Sequence, residues 1–182
     1  TSTFGEVVAR LLRQKPELKV VVLAAAPVAD LVKELVAEWK VTPIVLDPNE
    51  MDADTAQAEK RAAFKAADVA LAASGTVSLE LAASDTPMVI GYDMNWISWQ
   101  IMSRMALIDT VTLANLVAES RTVPEFLGPA FQAEEIAPAL LRVLEDATEQ
   151  REAMSLTMGR LGRGQEFPGV RAARAVLDGL KK

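Results

Sequence analysis

A short turn with the sequence Ser74-Gly75-Thr76 is the part of this chain that is best suited to hold an anion. It follows an apolar, strand-like run that ends at Ala72 or Ala73, and a helical pattern begins at once after it. Such a turn directs unpaired N–H groups and the positive end of a helix dipole beyond the carboxyl end of the strand. The glycine lets a ligand approach the backbone, and the two hydroxyls can cap the helix or donate to a phosphate oxygen.

Glu80 lies about one helical turn after Thr76, so we expect its carboxylate on the same face of the helix. In that place it could accept two hydrogen bonds from a vicinal diol, such as the 2'- and 3'-hydroxyls of a ribose. These residues alone favour a structural interpretation, with Thr76 as a helix N-cap and Glu80 as a solvated side chain.

Short apolar runs alternate with helical patterns along the chain, which predicts a βαβα order with right-handed crossovers. We therefore predict an α/β fold, a Rossmann-like doubly wound parallel sheet with extra C-terminal helices. A capping box of Thr3 and Glu6 marks the first helix, which starts at Ser2 or Thr3 and ends near 14. Further helices are predicted at 27–39, 54–66, 76–83, 95–107, 134–144, 150–161 and 169–180, strands at 18–24, 44–46, 69–72 and 88–91, and irregular chain with one short extended piece at 108–127.

The composition excludes several kinds of chemistry. The 182 residues contain no cysteine and no histidine, which removes disulfides, thiolate nucleophiles, imidazole bases and the usual zinc ligands. A formal net charge of -6 makes nucleic acid a poor partner. No apolar run approaches the roughly 20 residues that a membrane span needs, so the cytoplasm is the simplest location.

The segment 94–107, MNWISWQIMSRMAL, predicts a helix with apolar side chains around most of its circumference. Such a helix must be covered nearly all round. The cover could be the core or another domain, or it could be membrane or acyl chains.

A series of linked motifs extends beyond the glycine turn. The run SGTVSLELAASDTPMVIGYDM is followed by TVTLANLVAESRTVPEFLG. In order and spacing these resemble S-G-T-x-x-L-E, P-M-V-x-x-Y, L-x-N-L and V-P-E-L/F-L of the lipid-A-disaccharide synthases, a family of UDP-sugar-dependent glycosyltransferases of the GT-B type. The resemblance extends from about Pro43 to Leu180.

The resemblance implies an inverting hexosyltransferase of lipid A biosynthesis. The intact enzyme would transfer 2,3-diacylglucosamine from UDP-2,3-diacylglucosamine to 2,3-diacylglucosamine 1-phosphate, and release UDP and the lipid A disaccharide. Neither a metal nor another cofactor is implied, because a helix dipole and hydrogen-bond donors would stabilise the departing UDP. The implied UDP-binding residues are Ser74, Gly75, Thr76 and Glu80, and those near the donor sugar or the interdomain cleft are Tyr92, Asn115 and Glu125.

Two of these residues have structural interpretations that stay open. Asn115 could be a turn residue that bonds its own backbone. Glu125, which follows Pro124, could be a carboxylate at a helix N-terminus.

The chain also departs from the family pattern. Asp93 and Asn95 stand just after Tyr92, where many members carry basic residues. The family opens this domain with a strand and a basic Gly-Ser-Arg loop, and neither is recognisable here. We therefore expect residues 1–182 to form one donor-nucleotide-binding domain that lacks this strand and loop and an N-terminal domain with the catalytic base. On its own the chain should be inactive, and no catalytic residue is assigned within it.

The alternatives belong to different classes. One is the half-domain of another UDP-sugar transferase or of an epimerase, and the other is a noncatalytic α/β module that binds a nucleotide or a protein partner. Contact with the surface of the inner membrane and association into homo-oligomers also remain open.

Overall fold

The computed structural model describes residues 2–73, 75–93, 110–166 and 168–180 of the chain. The β-strands in these ranges are β1 Val21–Leu23, β2 Ile44–Leu46, β3 Ala70–Ala72, β4 Met88–Tyr92 and β5 Glu125–Leu127. The α-helices in the same ranges are α1 Ser2–Gln14, α2 Ala29–Ala37, α3 Ala53–Ala66, α4 Val77–Ala83, α5 Leu113–Ala118, α6 Ala133–Glu145, α7 Thr148–Arg160 and α8 Pro168–Gly179. Single 3₁₀ turns occupy Ala26–Val28, Pro48–Glu50 and Gly128–Ala130.

The described strands form two parallel sheets. β1 pairs with β2, and Val22 stands opposite Val45. The second sheet has the order β3-β4-β5, in which Ala72 stands opposite Ile90 and Ile90 opposite Glu125. Parallel strands with intervening helices confirm the predicted α/β, Rossmann-like class.

Helices cover both faces of the three-stranded sheet. Met88 and Ile90 of β4 pack on one face with side chains of α3, α4, α5 and α7, including the fully buried Leu81. Val89 points to the other face and packs against α1 and α6, where Val7 and Ile136 are fully buried. Because each large apolar side chain contributes about 1.5–3 kcal/mol when it is removed from water, these two clusters hold the fold together.

Side-chain bonds fix both ends of α3 against this core. Asp52 caps α3 and accepts from the N–H of Thr55 at 2.9 Å. The hydroxyl of Thr86 donates to the carbonyl of Phe64 at 2.6 Å and so ties the end of α3 to the turn before β4.

The structure corrects two expectations for the local chain and leaves a third untested. Helix α1 begins at Ser2, so Thr3 lies inside the helix and is not the cap of a capping box. Helix α5 lies within the stretch that was expected to be irregular, and its C-cap residue, Glu119, has a left-handed φ of 56°. The predicted helix 95–107 lies outside the described residues.

No helix in the described ranges is both long enough and apolar enough to cross a bilayer.

Candidate functional site

The candidate site lies at the carboxyl edge of the three-stranded sheet. Because Ala72 of β3 is level with Ile90 of β4, the turn after β3 and the end of β4 at Tyr92 extend beyond the same edge. The side chain of Tyr92 is 43% exposed there. Ligands of parallel α/β proteins bind at this edge, since the loops and helix N-termini converge on it.

Gly75 adopts a backbone conformation that side chains with a Cβ rarely tolerate, with φ of +122°. A Cβ at this position would meet nothing within 4 Å, so the space beside the turn is open. The buried Ser78 hydroxyl donates to the Gly75 carbonyl at 2.9 Å and anchors the turn to the first turn of α4. Ser74, the first residue of the motif, lies outside the described residues.

Thr76 is the N-cap residue of α4, but its side chain makes no capping hydrogen bond to the helix. The residue is exposed and its backbone is already helical. The sequence allowed this hydroxyl to cap the helix or to donate to a phosphate oxygen, and the structure does not show the cap.

Glu80 projects from α4 with its side chain 44% exposed. Its Oε2 lies 2.5 Å from the Nζ of Lys60 on α3, and that ammonium group lies 5.7 Å from the centroid of the Phe64 ring. An ion pair this exposed contributes only about 0–1 kcal/mol to stability. Lys60 therefore orients the carboxylate, which stays exposed to solvent and is not buried in the core.

Glu125 begins β5, so the expectation of a carboxylate at a helix N-terminus is wrong. Its carboxylate accepts from the Thr110 hydroxyl at 2.6 Å and from the backbone N–H of Thr112 at 2.7 Å. It also accepts from the N–H of Val111 at 3.2 Å. The side chain of Glu125 thus holds the three residues that lead into α5. The hydroxyl of Thr112, one of these residues, is buried and has no hydrogen-bond partner in the described part of the chain.

Asn115 is 1% exposed and lies inside α5, which corrects the expectation of a turn residue. Its Nδ2 donates to the carbonyl of Val123 at 2.9 Å, and its Oδ1 accepts from the N–H of the same residue at 3.0 Å. Both polar atoms of the amide are therefore committed to the backbone that precedes β5.

The residues expected in the site thus fall into two groups. Gly75, Thr76 and Tyr92 lie at the sheet edge, with Glu80 one helical turn along α4. Glu125 and Asn115 lie deeper, where their bonds shape the chain around α5 and β5. Among the described residues, no cluster of three or more acidic side chains has the arrangement of a metal site.

Two polar residues that the sequence did not single out carry important bonds. Gln150 of α7 is 3% exposed and bonds Met88, accepting from its N–H at 2.5 Å and donating to its carbonyl at 3.0 Å. Gln150 also donates to the carbonyl of Thr122 at 3.2 Å. No local pattern reveals this role, since the partners lie far away in sequence.

Asp47 follows β2 directly and is 3% exposed. Lys33 contacts it at 2.6 Å, and the N–H of Asn49 donates to it at 2.8 Å. These bonds, first that of Lys33 and then that of Asn49, lower the pKa of Asp47, and the two carboxylates of Asp47 and Glu50 raise the pKa of Lys33. In the sequence, this network was indicated by one polar residue, Asp47, directly after an apolar strand.

Parallel strands, helices on both faces and an open glycine turn at the carboxyl edge define a Rossmann-like α/β domain. The sequence pattern of the lipid-A-disaccharide synthetase family matches residues 2–170. The chain belongs to this family.

Curated relatives agree with this assignment. The lipid-A-disaccharide synthase of Ruegeria pomeroyi is 55% identical over 97% of the chain, which corresponds to 44% of that protein. The enzyme of Nitrobacter winogradskyi is 34% identical over 100% of the chain, which corresponds to 44% of that protein. The enzyme of Paramagnetospirillum magneticum is 36% identical over 98% of the chain, which corresponds to 45% of that protein. The chain therefore spans less than half the length of the curated relatives that it matches.

Proposed function

We propose that this chain is the UDP-sugar-binding half of a glycosyltransferase of lipid A biosynthesis. The intact protein transfers 2,3-diacylglucosamine from UDP-2,3-diacylglucosamine to 2,3-diacylglucosamine 1-phosphate. The observation that carries this proposal is the family match over residues 2–170, together with 55% identity to a lipid-A-disaccharide synthase.

The reaction divides the chemical work between two halves of the protein. A hydroxyl of the acceptor attacks the anomeric carbon of the donor, the bond from that carbon to UDP breaks, and the hydroxyl proton passes to a base. The part of the protein beyond this chain would supply the base and most of the acceptor site. This chain would stabilise the negative charge that develops on the departing diphosphate.

The turn after β3 is suited to that charge. The backbone N–H groups at the start of α4 and the N-terminal helix dipole favour an anion. Open space beside Gly75 lets a diphosphate come close to the backbone, and the Thr76 hydroxyl is not used for capping. Ser74 would add a second hydroxyl.

Glu80 would bind the ribose of UDP. Its carboxylate is exposed, and the ion pair with Lys60 orients it without burying it. Two hydroxyls of a ribose can each donate to one carboxylate oxygen, and such charge-assisted bonds are stronger than neutral ones.

The remaining three residues would form the wall of the cleft. Tyr92 is exposed at the sheet edge and would contact the donor directly. Asn115 and Glu125 would act through the backbone that they hold, at Val123 and at residues 110–112. Because both substrates carry acyl chains, the intact enzyme would work in the cytoplasm at the surface of the inner membrane.

Titration of the intact protein with UDP and with ADP tests the proposal. UDP should shift the amide signals of Gly75, Thr76 and Glu80 at lower concentration than ADP, because the proposed donor is a UDP-sugar. The amide of Leu156, an exposed residue on α7, serves as a control. Equal and negligible shifts with the two nucleotides would show that the turn is not the donor site.

A further inference from the structure

Gly91 is the last buried residue of β4 and stands directly before the exposed Tyr92. Because side chains alternate between the two faces of a strand, Gly91 shares a face with Val89, and Tyr92 shares the other face with Ile90. The face of Val89 packs against α1 and α6, whereas α4 lies on the face of Ile90. Tyr92 is therefore on the same side of the sheet as α4 and its glycine turn, and Gly91 is on the opposite side.

The backbone conformation does not explain a glycine at this position. Strands favour β-branched and aromatic residues, and a glycine inside a strand weakens it. Glycine is needed where φ is in the left-handed region, but the φ of Gly91 does not lie there. The remaining reason for a glycine in a strand is the close approach of another group to the backbone.

The group that approaches Gly91 is the ring of Phe131. A Cβ added to Gly91 would lie 2.9 Å from Cε2 and 3.2 Å from Cδ2 of this ring. It would also lie 3.5 Å from Cδ1 of Ile136. Since non-bonded carbon atoms prefer a separation of about 3.5–4.0 Å, an added methyl group would have to displace the ring or the strand by about 0.5 Å.

The neighbours of the Phe131 ring oppose its displacement. Phe131 follows the 3₁₀ turn after β5, and the centroid of its ring lies 5.6 Å from that of Phe4 on α1, at an interplanar angle of 56°. Such tilted aromatic pairs are favourable. Ile136 is fully buried, so it has no free space to enter. Extra volume at residue 91 would therefore push the end of β4 toward the face that carries Tyr92.

The end of β4 is held by fewer strands than its beginning. In the described sheet, the pairing of β3 with β4 ends where Ala72 stands opposite Ile90. Gly91 and Tyr92 pair with β5 alone, opposite Phe126 and Leu127. The contact with the Phe131 ring is thus an important support for this end of the strand.

We infer that Gly91 is a positioning residue for the donor site. Its missing side chain lets the Phe131 ring close on β4, and this contact fixes the place of Tyr92 at the sheet edge. Gly91 acts through Tyr92 and does not touch the donor. The inference rests on the proposed function, since it takes Tyr92 as a contact of the UDP-sugar.

Gly91→Ala in the intact enzyme tests this role. KM for the UDP-sugar should rise about 5- to 50-fold, because a displacement below 1 Å already weakens the contacts of a binding group. The kcat should stay within about threefold of the wild-type value, since a contact made equally in the ground and transition states affects KM. Steady-state kinetics measure both quantities. An unchanged KM, or a fall in kcat alone, would overturn the inference.

Phe131→Leu separates the positioning role from a general effect of the added methyl group. In this background, which lacks the aromatic ring, Gly91→Ala should change KM less than about threefold. An equal rise in both backgrounds would overturn the inference, because the ring would then not be the group that opposes the methyl. If Gly91→Ala alone does not fold, the double variant should fold and have the KM of Phe131→Leu. A double variant that does not fold would also overturn the inference.

Val143→Ala is a matched control for lost stability. Val143 belongs to the same apolar cluster as Ile136 but lies about two helical turns further along α6, away from the end of β4. This variant should lower the urea midpoint and leave KM within about threefold of the wild-type value, because the cavity that it creates is remote from Tyr92. A rise in KM equal to that of Gly91→Ala would show that KM merely follows stability, and it would overturn the inference.

Titration with UDP distinguishes a failure of this inference from a failure of the proposed function. If the proposed function is wrong, UDP will not shift the amide signals of Gly75 and Thr76 even in the wild-type protein. If the inference alone is wrong, UDP will shift them at the same concentration in the wild type and in Gly91→Ala. The inference predicts that these shifts occur in both proteins and need a higher concentration of UDP in the variant.

Discussion

The carboxylate of Glu80 is not fixed within the core, because its side chain is 44% exposed and its ion-pair partner is the side chain of Lys60. A carboxylate in this setting contributes little to folding. It keeps its capacity to accept hydrogen bonds from a ligand, which is what a ribose-binding residue needs.

Glu80→Gln in the intact enzyme should raise KM for the UDP-sugar about 10- to 100-fold, because it removes the charge from bonds worth about 1.5–3 kcal/mol. The free energy of unfolding should hardly change. Steady-state kinetics and urea unfolding measure the two quantities.

Lys60→Gln is the matched control, because it removes the ion pair and keeps the carboxylate. Its KM should stay within about threefold of the wild-type value. If Lys60→Gln and Glu80→Gln raise KM equally, the ion pair rather than a ribose contact explains the effect.

A second prediction concerns Asp47 and the dependence of folding stability on pH. Its pKa is lowered, first by Lys33 and then by the N–H of Asn49, so its ionised form stabilises the folded state above the ordinary pKa of 3.8. This stabilisation is lost as the pH falls through the lowered pKa. Between about pH 5 and about pH 2, the urea midpoint should therefore fall, and the fall should be smaller in Asp47→Asn and in Lys33→Met.

Lys40→Met provides the control for the loss of a positive charge near α2. It should leave the acid-dependent fall as large as in the wild type. An unchanged fall in Asp47→Asn would mean that other carboxylates dominate the acid response.

Two buried amides connect α5 and α7 to the sheet. Asn115 bonds Val123, and Gln150 bonds Thr122 and Met88, so both hold the segment that leads into β5. Glu125 stands opposite Ile90, so β5 has not yet begun at the level of Met88. The side chain of Gln150 thus supplies the bonds that a neighbouring strand would otherwise make there.

Gln150→Leu should lower the free energy of unfolding by about 2–4 kcal/mol, because it leaves buried backbone groups of β4 without partners. The exchange of the Met88 amide should accelerate at the same time. Urea unfolding and hydrogen exchange measure these effects. Glu149→Leu, at the exposed neighbouring position, should change the stability little, and an equal loss in the two variants would contradict the role given to Gln150.

The chain as a whole spans 44% of a relative to which it is 55% identical, which fits the proposal that its site is one side of a larger cleft. We expect the 182-residue chain to bind UDP at least about tenfold more weakly than the intact protein, because the rest of the cleft contributes contacts. It should form no disaccharide.

Calorimetry with UDP and an assay of UDP release measure binding and turnover. Circular dichroism of the isolated chain establishes that it is folded under the same conditions. Turnover by the isolated chain would contradict the division of labour between the two halves.

Periodicity predicted much of this fold. The helices at 54–66, 134–144 and 150–161 agree with α3, α6 and α7 within a few residues, and the predicted strands overlap β1 to β4. Helix α5 escaped prediction because its six residues, LANLVA, are too short and too uniformly apolar to show a period. Its burial against α7 stabilises it instead.

The sequence by itself determined the alternation of strands and helices, the glycine turn after β3 and the resemblance to one family, because these depend on neighbouring residues. Tertiary structure alone decided that Asn115 holds the backbone before β5, that Glu125 holds the residues before α5, and that Lys60 pairs with Glu80. Those contacts join separate elements of the chain. Their partners depend on how the elements pack, and no local pattern records that packing.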